Sequence, residues 1–153
     1  MPPHPATTSA GRRSVPQALF PRGSRMGNEM SIEDRIKMTR AIMIMFDELH
    51  IDPAAQVNLL GMPDDVKPRV MDRYRKGTPF PDDEQVMRRI EHLVAIYDAL
   101  RTSFPRNAKM GHHWLTSPNR HFNYHTPLQV MLTDGMGGLE TVRGRLDCTM
   151  GWI

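Results

Sequence analysis

The chain has 153 residues, a formal net charge of +3, 39% hydrophobic residues and a single cysteine, Cys148. This length accommodates one compact domain, or two small helical units that share a core. One cysteine excludes an internal disulfide framework, and no apolar run reaches the roughly 18–20 residues of a membrane span. The composition therefore favours a cytoplasmic protein without membrane segments.

Residues 1–28 differ in composition from the rest of the chain. They are rich in proline and contain four arginines and no acidic residue. No apolar periodicity is present that could bury a face, so this segment is predicted to be a disordered basic tail. Without its four arginines the net charge of +3 falls to about −1. The folded part of the chain is therefore expected to be close to neutral.

The spacing of apolar residues predicts a first helix from about Ser31 to His50. Ser31 is a suitable N-cap, and the acidic Asp34 three positions later is favourable near the positive end of the helix dipole. A stripe this wide is expected to pack against other helices rather than face solvent. Its members are Ile32, Ile36, Ile42, Met43, Met45, Phe46 and Leu49.

Two short helices are predicted next. Asp52-Pro53 is a capping residue followed by proline at the first helical position, and the helix Ala54–Leu60 ends at Gly61. A third helix is expected to run from Met62-Pro63-Asp64 to about Lys76. Two short helices joined by a glycine-containing turn are a helix-turn-helix candidate.

The third predicted helix carries a set of basic side chains that could contact phosphates of DNA. These candidate DNA-binding residues are Lys67, Arg69, Arg73, Arg75 and Lys76. Two features argue against this role. The acidic pair Asp64-Asp65 would repel a phosphate backbone, and Pro68 disturbs the first turn of the helix. A solvent-exposed helix face remains the alternative interpretation.

Pro81-Asp82-Asp83 begins a long fourth helix, which Pro105 ends. Its apolar residues follow a spacing of three and four. They are Val86, Ile90, Leu93, Val94, Tyr97, Leu100 and Phe104. Residues 29–105 are therefore predicted to form a helix-turn-helix-like bundle that ends in a long connecting helix and mediates dimerisation.

A polar connector leads to a second helical region, 106–153. Trp114-Leu115 is followed by turn chemistry at Ser117-Pro118-Asn119. Thr126-Pro127 begins a helix that ends at Gly135, and Gly137-Gly138 permits positive φ or a close helix approach. A final amphipathic helix contains Leu139, Val142 and Leu146. No segment alternates with period two, so the predicted fold class is all-α.

The residues that could carry chemistry are few. His121 and His125 lie four positions apart, but the turn chemistry around Asn123 argues against a helix that would bring them together. No Cys, Asp or Glu lies between Met110 and Thr133 to complete a metal site. His112, His113, His121 and His125 are therefore interpreted as exposed loop histidines.

Cys148 has no neighbouring base in the sequence and is interpreted as a small apolar residue. The acidic pairs at helix starts are explained by the helix dipole. The sequence therefore predicts no catalytic residue, no metal and no cofactor.

Some residues of the second region do not fit a purely structural role. Asn119 and Arg120 are polar groups fixed in a tight turn, and Met150-Gly151-Trp152-Ile153 places apolar side chains at the end of this sequence. Tryptophan and arginine often dominate the energetics of interfaces. The predicted partner-binding residues are Trp114, Asn119, Arg120, Met150, Gly151, Trp152 and Ile153.

Over Trp114–Leu146 the sequence resembles the C-terminal toxin-binding domain of Xre/MbcA/ParS antitoxins. The resemblance is carried by a set of residues in the order and spacing of that family. They are Trp114-Leu115, Pro118-Asn119, Thr126-Pro127-Leu128, Gly135, Gly138-Leu139, Val142 and Leu146. The family commonly has a double glycine before its Thr-Pro-Leu, where this chain has Asn123-Tyr124. Asparagine tolerates the left-handed region, so the turn is expected to persist with an altered surface at Tyr124.

The resemblance implies an all-helical antitoxin, a homodimer within a toxin–antitoxin complex, that binds a RES-domain toxin encoded beside it. Such toxins consume NAD or transfer ADP-ribose from it. The antitoxin blocks the NAD site sterically, and Trp152-Ile153 would occupy the place of the family's terminal plug. The alternative from another class is a helix-turn-helix DNA-binding regulator, which could also repress its own operon.

Overall fold

The computed structural model describes residues 30–150, and this part of the chain contains helices and no strand. The predicted all-α fold class is confirmed. The α-helices are α1 (Ile32–Glu48), α2 (Pro53–Leu59), α3 (Met71–Arg75), α4 (Glu84–Ser103), α5 (Lys109–Thr116) and α6 (Pro127–Met150). Two short 3₁₀ helices, Pro68–Val70 and Arg120–Phe122, accompany them. The predictions for the tail 1–28 and for Gly151, Trp152 and Ile153 lie outside the described residues.

Three of the predicted helix starts are confirmed, and each has the expected cap. The Ser31 hydroxyl accepts a hydrogen bond from the Asp34 amide at 3.1 Å. The Asp52 carboxylate accepts from the Ala55 amide at 2.8 Å, and Asp83 caps α4 in the same way. Each cap satisfies an amide that the helix itself cannot pair.

The predicted third helix is wrong in its first part. Residues 62–67 are not helical, and only the 3₁₀ turn and the five residues of α3 follow them. Pro68 explains the break, because a proline pushes the preceding residue out of the helical region. Lys67 accordingly has the extended angles φ −77° and ψ 143°. Residues 60–70 replace the short turn of a helix-turn-helix, so this motif is incomplete.

One hydrophobic core joins all six α-helices. α4 lies at its centre and contacts α1, α5 and α6. The predicted apolar face of α4 is confirmed, since Val86, Ile90, Leu93 and the other predicted positions up to Leu100 are buried. The prediction that Ile32 joins the buried stripe of α1 is wrong. Ile32 lies in the first turn of the helix, and its side chain is 63% exposed.

A half-buried polar cluster joins α1 to α4. The Tyr97 hydroxyl donates a hydrogen bond to the Glu48 carboxylate, and Arg101 donates to both groups at 2.9 and 3.2 Å. Burial, followed by the hydrogen bond to Glu48, raises the pKa of Tyr97 to about 12. The phenol is protonated at neutral pH and can donate to Glu48, so the cluster links α1 to α4.

A second polar junction joins α2 to α6. The Asn58 side-chain amide donates to the Leu132 carbonyl at 3.3 Å. Arg89 of α4 donates to the Asn58 carbonyl at 3.4 Å. Three helices that are distant in sequence therefore meet at this point, which places the start of α6 on the surface of the first bundle.

A third contact makes the packing of α6 on α4 sensitive to pH. Arg143 of α6 donates a hydrogen bond to Nδ1 of His92 on α4 at 3.2 Å. Arginine can only donate, so Nδ1 must be unprotonated in this contact. Burial, followed by the nearby Arg143 charge, lowers the pKa of His92 below its ordinary value of 6.5.

This lowered pKa predicts that acid weakens the fold. Below about pH 6.5 the unfolded chain binds a proton at His92 more readily than the folded chain does. The free energy of unfolding should therefore fall as the pH falls from 7.5 to 5.5. Urea unfolding at both pH values measures this fall. In the His92→Asn variant, whose amide oxygen accepts from Arg143 without titrating, the fall should be smaller, and an equal fall in both proteins would contradict the prediction.

Candidate functional site

The second helical region begins with α5, a helix that the sequence analysis did not predict. The residues before Trp114 were interpreted as a polar connector, but residues 109–116 are helical, and Gly111 packs against Leu49 at the end of α1 and Leu100 of α4. The spacing of four between Met110 and Trp114 was the available signal.

The interpretation of His112 and His113 as loop residues is therefore wrong, since both lie on α5. His112 is partly buried, and its Nδ1 lies 2.8 Å from the Leu49 carbonyl. Its ring also meets the ring of His50 edge-on, with centroids 5.1 Å apart. His112 is thus a packing residue between α5 and the end of α1.

Residues 119–125 form a tight turn, which we call the 119–125 turn. Asn119 organises it. Its carbonyl accepts from the amides of Phe122 and Tyr124, and its own amide donates to the His125 carbonyl. Its side chain also accepts from the His121 amide at 2.9 Å. These four hydrogen bonds of Asn119 close the turn.

The turn requires two consecutive residues in the left-handed region. Asn123 has φ 53° and Tyr124 has φ 66°. The expectation that the turn persists without a double glycine is met, because both residues adopt positive φ. For tyrosine this conformation is unfavourable. Tyr124 is also 72% exposed, so it gains little from packing.

Phe122 anchors the turn to the core. Its side chain is buried, and its ring meets Trp114 edge-on with centroids 6.5 Å apart. Trp114 is itself partly buried against the core. Trp114 therefore has a structural role in holding the turn, and direct contact with a partner stays a prediction for this residue.

The predicted helix start at Thr126-Pro127 is confirmed as a reciprocal capping box. The Thr126 amide donates to the Gln129 side chain at 2.9 Å, and the Gln129 amide donates to the Thr126 hydroxyl at 3.0 Å. The predicted stop at Gly135 is confirmed as a sharp break inside α6, where φ is 59° and ψ is −133°.

The two halves of α6 pack against each other at Gly138. A Cβ atom there would lie 2.3 Å from the Val130 carbonyl oxygen, so the close approach predicted for this glycine is confirmed. Leu139, Val142 and Leu146 then follow on one face, all buried as predicted.

The exposed face beside the turn carries arginine and histidine side chains. Arg120, His121 and His125 are exposed in the turn. Arg145 of α6 donates to Nε2 of His121 at 2.5 Å, which brings α6 to the turn. Residues 99–133 contain four basic residues and four histidines, but no Asp or Glu. We call the exposed residues Arg120, His121, Tyr124, His125 and the adjoining Arg145 the turn face.

The predicted partner-binding residues thus differ in position: some are exposed on the turn face and others lie beneath it. Arg120 is exposed on the turn face, whereas Asn119 and Trp114 support it from behind. Met150 ends α6, and nothing is described of its side chain. No role for Arg145 could be predicted from the sequence, because its contact with His121 joins residues that are distant in the chain.

The candidate DNA-binding residues surround α3. Lys67, Arg69, Arg73 and Lys76 are exposed, as is Arg75, which forms an ion pair with Asp47 of α1. Because α3 has only five residues and no complete helix-turn-helix positions it, DNA binding by this segment stays a prediction.

The described part of the chain contains no cluster of side chains that could bind a metal ion. Between residues 30 and 150, no three His, Cys, Asp or Glu side chains lie together as a possible metal site. The thiol of Cys148 is exposed, so its interpretation as a buried apolar residue is wrong. Within the same residues, no helix is long and apolar enough to cross a membrane.

A comparison with known protein families matches the part of the chain that contains α5, the 119–125 turn and α6. Residues 99–148 match the family model described as the antitoxin Xre/MbcA/ParS C-terminal toxin-binding domain. The match starts near the end of α4 and includes α5, the 119–125 turn and α6 almost to its end. It confirms the resemblance drawn from Trp114–Leu146. No curated protein matches the chain.

Proposed function

We propose that this protein is the antitoxin of a type II toxin–antitoxin system and that residues 106–153 bind the toxin. The observation that carries the proposal is the match of residues 99–148 to an antitoxin toxin-binding domain. Its motif residues occupy structural positions in one continuous unit, since they cap α6, break it at Gly135 and fill the core beneath the 119–125 turn.

The proposed partner is a RES-domain toxin that consumes NAD or transfers ADP-ribose from it. Inhibition is steric in this proposal: the C-terminal unit binds at the toxin's NAD site, and residues 150–153 enter or cover it. The antitoxin needs no catalytic residue, cofactor or metal for this activity. Binding alone is sufficient, because a protein that occupies the NAD site prevents the substrate from entering.

The geometry supports a rigid binding unit. The 119–125 turn is closed by four backbone hydrogen bonds and is anchored by Phe122 against Trp114. α6 reaches the turn through Arg145 and the first bundle through Asn58. A unit that is ordered before binding loses little conformational freedom on association, which favours tight complexes.

Homodimerisation and a cytoplasmic location belong to the same proposal. Dimer formation through residues 29–105 would place two toxin-binding units in one complex. Autoregulation would follow if the protein also bound its operator. The residues proposed for that contact are Lys67, Arg69, Arg73, Arg75 and Lys76. Such an antitoxin would be both a toxin inhibitor and a DNA-binding regulator.

Co-expression with the RES-domain protein encoded beside this chain tests the proposal. We expect a complex that survives purification, and we expect NAD consumption by the toxin to be suppressed in it. The control is the toxin expressed without the antitoxin, which should consume NAD. Absence of a complex, together with specific retention of upstream DNA by this chain, would instead assign it to the DNA-binding regulators.

A further inference from the structure

Tyr124 combines two unfavourable properties that nothing within the described chain offsets. Its φ of 66° lies in the left-handed region, which bulky side chains rarely adopt. The residue is 72% exposed, and among the side chains that the structure describes only Ile32 is a comparably exposed large hydrophobic residue. Glycine would fit this backbone better and would expose no aromatic surface to water. Strained residues of this kind are concentrated at ligand-binding sites.

The ring is presented on a rigid support. The Tyr124 amide donates to the Asn119 carbonyl at 2.9 Å, and Phe122 on the opposite side of the turn is buried. An aromatic side chain has few rotatable bonds, so its immobilisation on binding costs little entropy. Tyrosine is also enriched among the residues that dominate interface energetics.

The charged residues of the turn that carries Tyr124 indicate the charge of the partner surface that it would bind. Arg120, His121 and His125 are exposed in the same turn as Tyr124, and Arg145 donates a hydrogen bond to His121. Residues 99–133 contain no Asp or Glu, so no acidic side chain of this segment offsets the positive charge of Arg120. A partner surface with acidic side chains would be attracted and correctly oriented, whereas a basic one would be repelled.

We propose that Tyr124 is an aromatic anchor that inserts into an acidic-rimmed recess of the toxin and contributes to the choice of toxin. This inference rests on the proposed antitoxin function. It assigns a contact separate from residues 150–153 and uses a residue to which the sequence analysis gave no binding role.

The test is the Tyr124→Gly variant, measured for stability and for toxin affinity. Glycine relieves the strain, so the midpoint of urea unfolding should be unchanged or higher than in the wild type. The Kd for the purified RES-domain toxin should rise by about tenfold or more, as expected for removal of an interface anchor. A purely structural tyrosine would produce the opposite pattern, with lower stability and unchanged affinity.

Three matched variants complete the design. Tyr124→Phe retains the ring and should retain toxin affinity. Ile32→Ala removes the other exposed large hydrophobic side chain and should leave toxin affinity unchanged. Arg120→Glu should slow association and reduce its dependence on salt, because it reverses a charge on the turn face.

The outcomes separate this inference from the proposed function. If wild-type protein and toxin form no complex, both are wrong. If the wild type binds and Tyr124→Gly binds equally well, the antitoxin function stands and the anchor is excluded. The anchor is also excluded if the glycine variant loses affinity for a single-stranded oligonucleotide while its toxin affinity is unchanged, since the turn face would then be a nucleic-acid surface.

Discussion

Replacing Gly138 with alanine should destabilise the protein by about 3 kcal/mol, the upper part of the usual range for overpacking. The added Cβ would lie 2.3 Å from the Val130 carbonyl oxygen and 3.0 Å from the Met131 Cα. Both atoms belong to the backbone, so no side chain can rotate away to make room. The two halves of α6 would have to separate, which would disturb the burial of Leu139. Urea unfolding measures the loss.

Gly137 provides a matched control one residue away. A Cβ atom there has no neighbour within 4 Å, and the residue is helical and exposed. Gly137→Ala should therefore stabilise the protein by roughly 0.5–1 kcal/mol, the usual gain in a helix. The same substitution at adjacent positions should thus have opposite signs. Equal effects at both positions would show that the halves of α6 do not pack at Gly138.

Deleting Gly151–Ile153 should weaken toxin inhibition by at least about tenfold while the free energy of unfolding stays unchanged. The proposal assigns these residues to the NAD site of the toxin, and truncation of a buried aromatic anchor typically has an effect of this size. Titration of the toxin with antitoxin, with NAD consumption as the readout, gives the inhibition constant. Urea unfolding of the free antitoxin gives the stability.

A second variant separates the side chains of this segment from its length. Replacement of Trp152 and Ile153 by serine keeps three residues after α6 but removes the apolar groups, and it should weaken inhibition as much as the deletion does. Deletion of residues 1–28 is the control at the other end of the chain. Full inhibition by the variant that lacks Gly151–Ile153 would exclude the plug. Unfolding of the same variant would show that these three residues have a structural role.

Local signals account for most of what the sequence predicted correctly. Ser31, Asp52, Asp83 and Thr126 each cap a helix with atoms that lie two or three residues away. These starts depend on neighbouring residues only, so a sequence pattern is sufficient to locate them. The break at Gly135 was predictable for the same reason.

The failures concern residues whose state depends on competition or on distant contacts. The residues around α3 have a helical sequence pattern, but Pro68 interrupts the helix because it imposes an extended conformation on Lys67. α5 has only eight residues, too few for its apolar spacing to predict a helix, and it is stabilised by packing of Gly111 near Leu49 and against α4. The turn face could not be assembled from sequence, since Arg145 reaches His121 from another helix.

The contact between Asn58 and Leu132 spans 74 residues of sequence, and it has a consequence for how the protein is made. α1–α4 leave the ribosomal tunnel before α6 does, so the apolar face of α4 that α6 covers is temporarily open to water. Folding of this chain during translation therefore cannot finish with the first bundle. Until α6 has left the ribosome, the nascent protein exposes a hydrophobic surface that chaperones or aggregation partners can bind.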